Sequence, residues 1–114
     1  MIDTGRRFYP VPFVKSIVDG LAMSRMNVLH FHLSEECFRI ESKTFPELTA
    51  PNSCARGNGN NTAFYTHADI ADLVAYSRLR GVRVLPEVRF QTRLRLHHDD
   101  TVFCTTCHLL RSSF

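Results

Sequence analysis

The sequence predicts an α/β fold built on a parallel sheet, and three observations carry that prediction. Short apolar runs alternate with segments of helical period in the order strand, helix, strand, long loop, helix, strand. Each helix returns the chain in time for the next strand, which is the repeating connection of parallel sheets. Ionisable residues gather at the same end of every strand: Asp3 and Arg6 after the first, His32, Glu35 and Glu36 after the second, Glu87 at the third. Parallel sheets present their chemistry at the carboxyl edge, and in a β/α barrel those strand ends converge on one site.

Met1-Ile2-Asp3 reads as the last residues of a strand. Residues 4–12 form a loop broken by Gly5, Pro10 and Pro12. From Phe13 to Ser24 the apolar positions are Phe13, Val14, Ile17, Val18, Leu21 and Ala22, an amphipathic helical spacing, with Pro12 suited to its first turn. The second strand is Asn27–His32. Its stretch from Arg25 to Glu36 begins apolar and ends in two histidines, a serine and two glutamates. A plain core strand running into a polar turn is the commoner origin of such a stretch. The recurrence of the pattern at three strand ends favours a site. His30 is expected to face away from His32 and pack between sheet and helix, leaving His32 for the site.

Residues 34–66 are long, polar and irregular, and include Gly57-Asn58-Gly59-Asn60-Asn61. A connection of that length in a compact domain is expected to be a functional or inserted loop. Asn60-Asn61-Thr62 is a glycosylation sequon, relevant only to a secreted protein and easily produced by chance. Thr66 and Asp69 are spaced as a capping box opening a second helix, with Ile70, Leu73, Val74 and Ser77 along one face to about Arg80 and Gly81 as terminator. Val82–Glu87 is the third strand.

Composition bounds the function classes. With 114 residues the chain is one small domain or part of a larger one. A hydrophobic share of 44% with 22% charged residues is ordinary for a globular protein. The net charge of +3 is too weak to argue nucleic-acid binding, and it is uneven: residues 1–87 hold ten basic and nine acidic side chains, residues 88–114 four and two. No apolar run reaches membrane-spanning length, and the first residues show no charged-then-apolar leader pattern. Cys37 and Cys54 are expected as a buried thiol and a loop thiol, with a disulfide open to them in a secreted protein.

Five stretches together resemble one family. They are Ile2-Asp3-Thr4-Gly5-Arg6-Arg7-Phe8, Met26-Asn27-Val28-Leu29-His30-Phe31-His32, Phe45-Pro46-Glu47-Leu48-Thr49, Tyr65-Thr66 and Arg80-Gly81-Val82-Arg83-Val84-Leu85-Pro86-Glu87. In order and approximate spacing, residues 1 to about 88 resemble the catalytic barrel of glycoside hydrolase family 20, the β-N-acetylhexosaminidases. The resemblance implies a (β/α)8 TIM barrel, of which this chain supplies about the first three βα units, that removes terminal N-acetylglucosamine or N-acetylgalactosamine from glycans. It implies substrate-assisted retaining catalysis: the sugar's acetamido oxygen attacks, an aspartate orients it, and the neighbouring glutamate is the general acid. By the same likeness Arg6 binds sugar hydroxyls with its planar fork of donors. Asp3 holds Arg6, His32 and Glu35 belong to the supporting shell, and Glu87 lies near the site floor. No cofactor and no metal is implied. A dimer for a full-length form, and a secretory, lysosome-like or extracellular location, follow from the resemblance alone.

The chain departs from the family pattern in three places. Glu35 and Glu36 stand where aspartate is usual, in a segment about one residue shorter. After Pro86-Glu87-Val88 there is no aspartate and Pro-Gly-His turn, but Arg89-Phe90-Gln91-Thr92-Arg93. The catalytic Asp-Glu pair of the family, at the end of the fourth strand, has no counterpart, and Asp99-Asp100 follow no strand-like run. A closed barrel needs about 200 residues or more, so residues 1–114 alone are expected to be poorly stable and inactive.

Residues 89–114 are a divergent tail, arginine-, threonine- and cysteine-rich without regular period, which fits a reading-frame change or an alternative end joined near Val88. Cys104-Thr105-Thr106-Cys107-His108 matches the haem-attachment pattern. No methionine follows it, and no haem pocket is indicated. Cys104, Cys107 and His108 with His97 or His98 are acceptable zinc ligand types but lack a second pair at finger spacing. Loose cysteines in an irregular tail remain the simpler reading. The leading expectation is therefore a segment of a hexosaminidase barrel. Its rival is a non-catalytic carbohydrate- or partner-binding truncated barrel, and a metal or haem module on the tail comes third.

Overall fold

The computed structural model describes residues 1–35, 37–50 and 63–89. Glu36, the sequon, Cys54, the C-x-x-C-H stretch and the paired aspartates lie outside the described residues, as does the tail from Phe90 onward.

The elements follow the expected alternation: β1 (Ile2–Asp3), α1 (Val11–Met23), β2 (Val28–His32), α2 (His67–Arg78) and β3 (Arg83–Glu87). The three strands form one parallel sheet in the order β1-β2-β3. The register pairs Asp3 with His32 and His32 with Glu87, so the last residues of all three strands lie in a single row. Pairing runs on beyond the strands. The amide of Thr4 donates to the His32 carbonyl, Leu33 N–H donates to the Glu87 carbonyl, and Ser34 Oγ both donates to the Arg89 carbonyl and accepts from the Arg89 amide.

Leu29 and Phe31 of β2 are buried against Val14 and Val18 of α1 and Ile70 and Leu73 of α2, with Ile2, Leu33, Ile40, Tyr65 and Val82 completing the core. The helices present narrower apolar faces than the periodicity predicts. Phe13 and Val74 are exposed, and Phe13 instead stacks on Tyr9 with ring centroids 5.0 Å apart. On the solvent side the helices are joined by Asp19 of α1, which accepts from the Tyr76 hydroxyl at 2.8 and 3.0 Å and from Arg80 Nε. Those hydrogen bonds, from Tyr76 first and then Arg80, hold the Asp19 carboxyl below the usual carboxylate range.

Both ends of α2 obey the sequence. Thr66 accepts from the Asp69 amide while Asp69 accepts from the Thr66 amide, a complete capping box. Gly81 adopts φ 67°, and the bonds Gly81 N–H to the Arg78 carbonyl and Val82 N–H to the Ser77 carbonyl close a Schellman motif. The left-handed φ lets Gly81 turn the chain directly into β3.

The segment after β2, expected to be irregular, is pinned in its described parts. Ile40 bridges to Tyr65, a 3₁₀ turn occupies Pro46–Thr49, and the buried Arg39 donates to the carbonyls of Thr4 at 3.1 Å and Ala63 at 2.8 Å. Burial lowers the Arg39 pKa and raises that of the Tyr65 hydroxyl, which donates to the Tyr9 carbonyl, to about 12. Cys37, read as a buried thiol with a disulfide as the alternative, is buried and takes the alternative, being disulfide-bonded.

Candidate functional site

A short loop after β1 puts Arg6 over the carboxyl edge of the sheet. Its backbone amide donates to Asp3 Oδ1 at 3.1 Å and its Nη1 to Asp3 Oδ2 at 2.7 Å, so the carboxylate at the end of β1 fixes both backbone and guanidinium. Arg6 Nη2 donates to Glu35 Oε1 at 3.1 Å. Two carboxylates thereby orient the fork, while the Arg6 side chain remains 62% exposed. An oriented, accessible guanidinium is suited to binding paired hydroxyls or an anion.

Gly5 makes this approach possible. A Cβ there would lie 2.7 Å from the Ser34 carbonyl carbon and 2.9 Å from Glu35 Cβ, inside van der Waals contact. The sequence marks Gly5 only as a loop breaker. Its role in seating Glu35 against the Arg6 loop depends on a contact across 30 positions that no local pattern encodes.

The network continues through β2 into β3. Glu35 Oε2 faces His32 Nε2 at 3.2 Å, and His32 Nδ1 faces Glu87 Oε2 at 3.1 Å. His30 Nε2 reaches the same Glu87 oxygen at 2.5 Å. The expectation that His30 turns away from His32 is therefore corrected. Residues two apart on a strand share a face, so both imidazoles lie opposite Leu29 and Phe31 and meet Glu87. The strand alternation already contained that signal. Hydrogen bonds from His30 first, then His32, hold the Glu87 carboxyl below its ordinary range. Arg89 Nε stands 4.0 Å from Glu87 Oε1.

The structure thus joins Asp3, Arg6, Glu35, His32 and Glu87, each anticipated from the sequence, and adds His30 and Gly5. Among the described residues, no group of three or more His, Cys, Asp or Glu side chains is arranged to hold a metal ion. Among them, too, no helix is long and apolar enough to cross a membrane.

The family profile described as "Glycosyl hydrolase family 20, catalytic domain" matches residues 1–91. The chain belongs to glycosyl hydrolase family 20. This family 20 chain is 39% identical over 89 residues to a β-hexosaminidase of Emericella nidulans, a match covering 77% of the chain and 14% of that relative. It is 39% identical over 88 residues to the human β-hexosaminidase subunit beta, covering 76% and 15% respectively. Among solved structures, it superposes on a family 20 β-N-acetylglucosaminidase with a TM-score of 0.66 at 37% identity, covering 75% of this chain and 18% of the other. It superposes on the β-N-acetylhexosaminidase of Bacteroides fragilis with a TM-score of 0.65 at 32% identity, covering 74% and 17%. The chain spans less than a fifth of the length of these relatives.

Proposed function

We propose that residues 1 to about 88 are the opening segment of a (β/α)8 barrel that hydrolyses terminal N-acetylglucosamine or N-acetylgalactosamine from glycans. In this reading β1, β2 and β3 are the first three barrel strands, and their shared carboxyl edge is one wall of the sugar site. Arg6 grips vicinal hydroxyls of the terminal sugar, Asp3 and Glu35 orient it, and His32 and Glu87 support Glu35 from below. The observation that carries the reading is the Asp3–Arg6–Glu35 clamp, which leaves a charged fork aimed outward at the carboxyl edge.

The reaction assigned to the whole barrel is substrate-assisted and retaining. The acetamido oxygen of the sugar attacks its own anomeric carbon as the glycosidic bond breaks, a glutamic acid protonates the departing oxygen, and water then opens the cyclic intermediate. The aspartate and glutamate of that scheme have no counterpart among residues 1–114, so this segment contributes substrate binding and not proton transfer. Purified 1–114 is accordingly inactive as a glycosidase.

The test is a chimera in which residues 1–88 replace the aligned segment of the Emericella nidulans β-hexosaminidase. The reading predicts a folded enzyme that hydrolyses a nitrophenyl N-acetylglucosaminide. A chimera with native-like melting and no hydrolysis would overturn it.

A further inference from the structure

We infer that His32 donates from both ring nitrogens, and that this doubly bonded ring is the positioning residue that keeps Glu35 against Arg6. The functional half of the inference rests on the sugar-binding reading above. The proton count does not.

A neutral imidazole has one N–H and one bare acceptor nitrogen, whereas ionised carboxylates only accept. Both His32 nitrogens face carboxylate oxygens, Glu87 Oε2 at 3.1 Å and Glu35 Oε2 at 3.2 Å. With one ring proton, one of these contacts would set two lone pairs against each other. The missing proton has two other places to sit, and neither suits it. Glu35 already accepts from Arg6 Nη2 through its other oxygen, Oε1. Glu87 also accepts from His30 Nε2, and the two histidines together hold its carboxyl toward ionisation. The ring is therefore the place for it.

The surrounding charges agree. The ring's partners are Glu35 after β2 and Glu87 at the end of β3. Glu35 meets Arg6 on the loop after β1, which Asp3 holds, and Glu87 meets His30 on β2 and Arg89 just after β3. Among the described residues these are three carboxylates and two guanidiniums, so a second proton on His32 brings no excess of positive charge. His30 is placed differently: it bonds a single carboxylate oxygen, and its ring is partly open to solvent. His32 is buried, so a charge there depends on being paired on both sides. Losing one proton would release Glu35 or Glu87, and releasing Glu35 frees Arg6 from its second partner.

Two measurements test this. The folded chimera carrying ring-¹⁵N histidine, with His32 assigned by its loss in a substituted chain, should show both His32 ring nitrogens protonated at pH 7. A single protonated nitrogen on that ring would overturn the proton count. In the chimera, His32→Gln places an amide donor near the Nε2 position facing Glu35, and His32→Asn places one near the Nδ1 position facing Glu87. If Glu35 is what matters, His32→Asn raises KM for the N-acetylglucosaminide about tenfold and His32→Gln less than threefold, with kcat nearly unchanged in both. Equal KM increases in the two variants would overturn the positioning role. An unsubstituted chimera without hydrolysis would refute the sugar-binding reading and leave the ring-proton result standing.

Discussion

Arg6 and Glu35 lie 29 positions apart in the chain and meet through Nη2 and Oε1 at 3.1 Å, above the row that pairs Asp3, His32 and Glu87. The contact links the loop after β1 to the segment after β2, so it holds only when both strands are in register. Glu35→Gln keeps an acceptor of similar shape but removes the charge. In the chimera it should lower kcat/KM for an N-acetylglucosaminide at least about tenfold, the difference between a charge-assisted and a neutral bond to an arginine. Steady-state kinetics with a melting control measures this.

Gly5 should tolerate no side chain. In Gly5→Ala the new methyl group would press on the backbone of Ser34 and Glu35. Overpacking of that kind costs about 1–3 kcal/mol, and because the displaced group is Glu35 itself, activity should fall further than stability. Comparing melting temperature and kcat/KM for Gly5→Ala in the chimera would show both, and full activity in that variant would mean that Glu35 has room to move.

Acid should loosen the β3 end of the site. The folded Glu87 carboxyl is held below its ordinary range by His30 and His32, so the folded state binds fewer protons than the unfolded chain. That contribution is complete above the unfolded glutamate value of about 4.3, and it is lost as pH falls from there through the lower folded value. Denaturation of residues 1–114 followed from pH 7 to pH 3 should show this extra acid sensitivity, and Glu87→Gln should reduce it.

The cap of α2 gives a purely local prediction. Thr66→Ala removes the acceptor for the Asp69 amide, which typically costs about 1 kcal/mol. Chemical denaturation of the two chains compares them directly, and the loss should be similar whether or not sugar is present.

Patterns of short range were legible in the sequence. Thr66 and Asp69 announced their capping box, Gly81 its left-handed turn, and Asp3, His32, Glu35 and Glu87 their common edge, because each depends on strand or helix period within a few residues. Features that depend on distant pairing were not legible. Arg39 looks like an ordinary loop cation, yet it is buried under Thr4 and Ala63, which lie in other parts of the chain. The irregular composition after Ser34 hid the long-range bonds that hold Arg39, Ile40 and Glu41. Phe13 and Val74 fit helical faces wider than two helices and three strands cover. His30 differs from these, since its shared face with His32 follows from strand geometry alone.

The most direct test of the account is the effect of Arg6 on sugar turnover. In the chimera, Arg6→Ala removes the fork and Arg6→Lys keeps the charge without the paired donors. If Arg6 grips the terminal sugar, kcat/KM should fall at least about 100-fold in Arg6→Ala, with only partial recovery in Arg6→Lys, as expected for losing charged hydrogen bonds from a planar donor. Turnover within twofold of the unsubstituted chimera in a folded Arg6→Ala protein would contradict the account.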